Sequence, residues 1–211
     1  MDTVVVYVHG LWMSGVESIG LRRYLARTLP CDARIFPYAS LSAGSEGHAR
    51  ALAGYLRGVS AATLHLVGHS LGGAVILKYF ELGHTPPAPG RVVLLGSPVR
   101  GSVAARRFAG LPFGRALLGP AAREELLPSR ERRWQGDRDL GVIAGSRAVG
   151  LGRLLGSWPG PGDGTVLVEE TRVAGARATL ELPVGHTGFL FSRQVARQTM
   201  IFLRDGRFES P

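Results

Sequence analysis

Hydrophobic positions along this chain fall into short unbroken runs, and the stretches between them carry a helical period. Six runs are rich in β-branched or aliphatic residues and end at turn residues: Thr3–Val8, 33–38, 63–67, 91–95, 141–144 and Ala178–Leu182. Runs this short and this uniformly apolar predict strands buried on both faces, as in a parallel sheet covered by helices. Segment 15–29 places Ile19, Tyr24, Leu25 and Leu29 near one helical face and Arg22, Arg23 and Arg27 largely on others. Segments 47–59 and 71–82 behave alike, with Gly83 placed to stop the latter. A last helix over 188–204 carries Val195, Met200 and Leu203 among Arg and Gln. Strand–helix alternation at this pitch predicts an α/β domain with right-handed crossovers and helices on both faces of the sheet.

Two stretches break that rhythm. Residues 100–135 contain no convincing strand and mix Phe108, Leu111, Phe113, Leu117 and Leu118 with arginine, glycine and proline. Residues 146–164 are glycine-rich. An excursion as long as 100–135 inside an α/β domain reads as a lid or cap segment within one domain spanning 1–211.

Composition narrows the class only a little. With 45% hydrophobic and 19% charged residues among 211, the chain is neither disordered nor collagen-like. No apolar run reaches the roughly 20 residues that span a bilayer, and the acidic start, Met1-Asp2-Thr3, lacks the basic head of a secretory signal. The single cysteine, Cys31, excludes an intrachain disulfide and a multi-thiolate metal site. These features point to a soluble, cytoplasmic protein with no transmembrane segment. The formal charge of +9 is unusual, but Lys78 is the only lysine among 25 basic residues and the arginines are scattered. No basic stripe or recognised binding motif accompanies it, so nucleic acid is not an expected partner. The charge instead leaves room for an anionic lipid surface or an acyl carrier near the arginines of 100–133.

Chemistry enters at Gly68-His69-Ser70-Leu71-Gly72-Gly73, directly after the apolar run 63–67 and directly before a helical segment. A G-x-S-x-G pattern is informative in that strand–turn–helix context, because the tight turn projects the serine above the sheet. The helix start beneath it favours developing negative charge. A phosphate loop would carry Lys after the glycines, where Ala74 and Val75 stand. Serine needs a base and a group to orient that base. Of six histidines, His186 follows the last predicted strand, at the carboxyl edge where catalytic groups collect. His65 lies inside a strand, and His48 and His84 lie in peripheral segments. For the acid, Asp163 in Gly162-Asp163-Gly164-Thr165-Val166 preserves the order Ser…Asp…His, with Asp137 and Asp139 as rivals. An oxyanion hole then requires two backbone N–H groups. Leu71, after the serine, supplies one, and Leu11 in the loop Val8-His9-Gly10-Leu11-Trp12 supplies the other. His9 reads as a structural hydrogen-bonding residue. Trp12, Met13 and His69 are expected to border the substrate pocket.

Taken together, His9-Gly10, the Gly68–Gly73 elbow, Gly162-Asp163-Gly164-Thr165-Val166 and Gly185-His186 resemble the α/β-hydrolase superfamily, and within it small bacterial lipases and carboxylesterases. The resemblance implies Ser70 as nucleophile, His186 as base, Asp163 as acid, and Leu11 with Leu71 as oxyanion donors. It also implies an acyl-enzyme intermediate and no cofactor. The chain departs from the family pattern by lacking its first two strands, which predicts a minimal sheet of about six parallel strands, and with no evident cluster of ligands no metal is expected. The expected activity is hydrolysis of small-molecule or lipid acyl esters. A thioesterase or acyltransferase would use the same machinery, and a non-catalytic binding protein of the same fold is the reading from another class.

Overall fold

The computed structural model describes residues 2–148 and 159–209, so 149–158, within the glycine-rich stretch 146–164, lie outside the described residues. Six strands form one sheet in the order β2-β1-β3-β4-β5-β6, every neighbouring pair parallel. They are β1 (Thr3–Val8), β2 (Asp32–Ile35), β3 (Thr63–His69), β4 (Val92–Leu95), β5 (Leu140–Gly145) and β6 (Ala178–Leu182). The helices are α1 (Ile19–Thr28), α2 (Ser45–Arg57), α3 (Leu71–Glu81), α4 (Val103–Ala109), α5 (Gly114–Leu117), α6 (Gly119–Leu126) and α7 (Arg193–Asp205).

Alternate side chains of each strand point to opposite faces, and both faces are dry. Val4, Val6, Leu64, Leu66, Val92 and Leu94 pack against α2 and α3. Val5, Tyr7, Val67, Val93 and Leu95 pack against α1 and α7. This two-sided burial is the reason the central strands read as continuous apolar runs rather than alternating ones.

The differences from the expected boundaries have local causes. The run 33–38 ends as a strand at Ile35, because Pro37 lacks the N–H that would continue the ladder. Phe36 still donates its N–H to the Tyr7 carbonyl (2.9 Å), after which the chain turns over the sheet edge. The helix expected over 15–29 begins at Ile19, after Gly15 (φ 89°) and a 3₁₀ turn at Val16–Ser18. Residues 187–190 form a separate 3₁₀ turn, and α7 starts only after Ser192, whose Oγ accepts the Val195 N–H (3.3 Å).

Residues 100–135 fold as α4, α5 and α6 over the start of α3, where Leu118, Ala121, Ala122 and Leu126 pack on Leu71 and Ala74. Buried Glu125 of α6 pairs with Arg130 and with buried Arg132. Glu124 Oε2 accepts the N–H (2.8 Å) and the hydroxyl (3.0 Å) of Ser45 at the start of α2. One carboxylate, Glu170, accepts the Val103 N–H at the start of α4 and the Leu167 N–H (2.9 Å) in the loop after β5. Burial pushes the Glu170 carboxyl up from its ordinary value.

Candidate active site

The chain runs from β1 outward to β2 and then crosses to β3 on the other side of β1, so the order reverses between β1 and β3. In open α/β sheets that reversal leaves a crevice beyond the carboxyl ends of the two strands. Register places Val8 opposite Gly68. The residues that follow, His9-Gly10 and His69-Ser70, therefore face one another: a Cβ on Gly10 would lie 3.1 Å from Ser70 Cβ.

Ser70 stands at the turn between β3 and α3 with φ 53° and ψ −124°, a conformation that costs a non-glycine residue of order 1–3 kcal/mol. The turn is that tight because α3 approaches β1 closely. A Cβ on Gly72 would stand 2.1 Å from the Val8 carbonyl oxygen, so only glycine lets the helix start there. The Ser70 N–H still joins the ladder through the Leu95 carbonyl (3.0 Å).

His186 follows β6 and Asp163 follows β5, strands that pair through Gly145 and Leu182 at their carboxyl ends. Gly145 makes room for the acid: a Cβ there would lie 2.7 Å from Asp163 Cβ. Asp163 is buried. Its Oδ1 accepts the N–H groups of Thr165 (2.9 Å) and Val166 (2.7 Å), and its Oδ2 accepts the Nδ1–H of His186 (2.7 Å). With the proton on Nδ1, His186 Nε2 is left as an acceptor, 3.1 Å from Ser70 Oγ. The His186 backbone is held as well, its N–H donating to the Asp163 carbonyl (3.0 Å). Ser70, His186 and Asp163 thus form one hydrogen-bonded chain.

The structure does not bring the rival acids to this edge. Asp137 and Asp139 precede β5, at the opposite edge of the sheet. Asp137 pairs with Arg138, and Asp139 pairs with Arg91 and Arg177.

Leu11 follows Gly10 and Leu71 follows Ser70, and among the described residues the Leu11 N–H has no partner. The His9 ring sits between two carbonyl oxygens, Gly10 O at Nδ1 (2.9 Å) and Tyr38 O at Nε2 (2.9 Å). Since the Gly10–Leu11 peptide is trans, fixing the Gly10 carbonyl toward His9 turns the Leu11 N–H to the other side. Trp12 is 55% exposed and donates Nε1–H to the Leu117 carbonyl (3.0 Å), joining the loop after β1 to α5. Met13 is half-buried and packs toward the α1 side.

His69 departs from expectation. It is fully buried, so it does not line an open pocket. Its Nε2–H donates to the His186 carbonyl (3.2 Å) and its ring lies 4.9 Å from that of His186. Burial, reinforced by the nearby His186, lowers its pKa to about 3, which keeps it neutral. The reason is the turn itself: as the last residue of β3, His69 points into the sheet face covered by Phe189.

Sequence reasoning missed Tyr38 and Ser40. The Tyr38 hydroxyl donates to the His9 carbonyl (2.7 Å) and its ring stacks on His9 at 4.3 Å, while Ser40 Oγ accepts the Trp12 N–H (3.1 Å). Both lie where the chain crosses the crevice after β2, and no local pattern marks them. Among the described residues no group of three or more His, Cys, Asp or Glu side chains is placed to hold a metal ion. No helix among them is long and apolar enough to cross a membrane.

Neither a protein-family model nor a curated protein matches the chain. Solved structures do. A lipase of Bacillus licheniformis in its mature form superposes with a TM-score of 0.72 at 18% identity, over 95% of this chain and 90% of that one. An extracellular α/β-hydrolase of a Paenibacillus species gives 0.59 at 16% identity, over 95% and 98%. The Vlm2 thioesterase domain gives 0.58 at 15% identity, over 99% and 95%. The chain has the α/β-hydrolase fold, in a minimal form built on a six-stranded parallel sheet. At these identities the likeness extends to the fold and no further.

Proposed function

We propose that this protein is a serine ester hydrolase, a carboxylesterase or lipase, that cleaves small-molecule or lipid acyl esters through an acyl-enzyme on Ser70. The observation that carries this reading is the hydrogen-bonded chain from Ser70 Oγ through His186 to buried Asp163, built on a strained turn. Ser70 Oγ attacks the ester carbonyl carbon as His186 Nε2 takes the hydroxyl proton, and Asp163 stabilises the resulting imidazolium. The N–H groups of Leu11 and Leu71 receive the oxyanion of the tetrahedral intermediate. Collapse of that intermediate expels the alcohol, which leaves with the proton from His186. Water, activated by the same imidazole, then releases the acid and restores Ser70.

Thioester cleavage is the second reading, favoured by the thioesterase domain that shares this fold. A panel of p-nitrophenyl esters of increasing chain length, set against acyl-CoA, separates the two. Turnover of esters that Ser70→Ala abolishes, together with loss of fluorophosphonate labelling, supports the reading. A preference for acyl-CoA by orders of magnitude replaces the esterase assignment, and labelling that survives Ser70→Ala removes Ser70 as nucleophile.

A further inference from the structure

The loop that carries Asp163 is joined to the rest of the molecule through a second buried carboxylate. Within 161–168 the hydrogen bonds are local. Asp163 Oδ1 takes the Thr165 and Val166 N–H groups, the Asp163 N–H donates to the Val166 carbonyl (3.0 Å), and the Val168 N–H donates to the Pro161 carbonyl (2.9 Å). These bonds shape the loop; its seat against His186 depends on contacts outside it. The next N–H in line, that of Leu167, donates to Glu170 Oε2 (2.9 Å). Glu170 Oε1 accepts the Val103 N–H at the start of α4, and the Glu170 carbonyl accepts the Arg100 N–H (3.0 Å). Three successive N–H groups, those of residues 165–167, are thus held by two carboxylates, and the second of these reaches out to α4.

Helix capping alone does not account for Glu170. The first turn of α4 already has a cap in Ser102, whose Oγ accepts the Ala105 N–H (3.2 Å). Glu170 is buried, and burial raises its pKa; the Leu167 and Val103 N–H groups and Arg106 lower it, and Asp163 raises it further. A buried carboxylate beside another is a costly way to finish a helix. The chemistry that only this group supplies is the bridge. An ionised carboxylate accepts on both oxygens, so it can join two backbone donors, whereas an amide has one oxygen to offer.

We propose that Glu170 is a positioning residue for the Ser70 site: by bridging Leu167 to the start of α4 it fixes the acid loop so that Asp163 Oδ2 stays on His186 Nδ1. That bond is short (2.7 Å), and turnover is sensitive to small displacements of an orienting group. The inference rests on the ester-hydrolase reading for its effect on rate, but the Asp163–His186 bond can be followed without turnover.

Glu170→Gln cuts the bridge: whichever donor the amide oxygen keeps, the other faces an NH2 group. Val103→Pro cuts it from the far side and suits the fold. Val103 is the first residue of α4, where proline is favoured, and Ser102 is extended (φ −139°, ψ 122°), as the residue before a proline should be. Glu124→Ala is the control, since Glu124 likewise holds the N–H that opens a helix, at Ser45 of α2, but does not touch the acid loop. In both bridge variants kcat for a p-nitrophenyl ester should fall about ten- to a hundredfold with KM little changed. The downfield proton resonance of His186 Nδ1–H, assigned by its absence from His186→Ala, should shift or broaden in both. Glu124→Ala should lower the melting temperature and alter neither readout. Wild-type kcat or an unmoved resonance in a folded bridge variant overturns the proposal, as do equal losses in Glu124→Ala. If Glu170→Gln does not fold, Val103→Pro decides alone. Failure of the hydrolase reading shows separately, as absent ester turnover by the wild-type protein, and the resonance then still reports on Glu170.

Discussion

Replacing Asp163 by asparagine tests the proposed catalytic chain at its most buried member. The substitution is nearly isosteric, but the environment dictates how the new amide must sit. Oδ1 of Asp163 receives two backbone N–H groups, from Thr165 and Val166. Two donors cannot face an NH2 group, so the asparagine oxygen takes the Oδ1 position and its nitrogen takes the Oδ2 position against His186 Nδ1. That nitrogen now donates where the carboxylate accepted, and the imidazole must move its proton to Nε2. Nε2–H then points at Ser70 Oγ and cannot take its proton. Two of the three hydrogen bonds survive and the third is re-formed with its direction reversed, so the fold should lose little, about 1 kcal/mol. Turnover should fall by about 10³–10⁴, or ~4–5.5 kcal/mol of transition-state stabilisation. Steady-state hydrolysis of a p-nitrophenyl ester gives kcat, and a melting curve shows that the protein remains folded. A loss below tenfold in a folded variant would refute the argument, as would an equal loss from Asp137→Asn or Asp139→Asn.

Three further predictions follow from the same geometry. Ser70→Gly should abolish ester turnover while raising stability by about 1 kcal/mol, since glycine accepts φ 53° without strain; an unchanged or lower melting temperature counts against strain at the turn. His69→Ala should lower kcat about ten- to a hundredfold with little change in KM, because it frees the His186 carbonyl from its donor (3.2 Å). His69→Gln should recover part of that loss, and a purely structural role predicts instead parallel loss of folded protein in both variants. Burial lowers the pKa of His65 to about 4 and that of His69 to about 3, from 6.5 when unfolded. Between those values the unfolded chain binds protons that the folded chain does not, so stability rises with pH. Acidification below about 6.5 should therefore cost about 1.4 kcal/mol per pH unit per histidine, levelling as the folded values are reached. Urea midpoints near pH 7 and pH 5 measure it, and equal midpoints would contradict it.

The sheet was legible because its central strands are buried on both faces and short, which leaves little room for any other reading of β1, β3, β4 and β5. Boundaries were less so: Pro37 ends β2 and Gly15 delays α1, effects that depend on one residue's backbone rather than on periodicity. The positions of Ser70, His186 and Asp163 could be anticipated because each follows a strand, and a parallel sheet collects those ends at one edge. Their mutual distances could not, since they depend on the register of β1 with β3 and of β5 with β6. The orientation of His69 was misread because sequence adjacency to Ser70 says nothing about which face of the strand end it occupies. Tyr38, Ser40 and Glu170 act through contacts between distant segments and leave no local trace.

The anchoring of α6 bears on time rather than on shape. Its two adjacent glutamates are tied in different directions, Glu124 to α2 and Glu125 to Arg130 and Arg132, and the Ala121 N–H is held by the Ala43 carbonyl (3.2 Å). Swinging this helix aside would strand Glu125 and Arg132 as separate buried charges, which is costly. Among the described residues, α6 is therefore fixed in place over α3. A progress curve begun by adding substrate should accordingly show no lag from movement of α6.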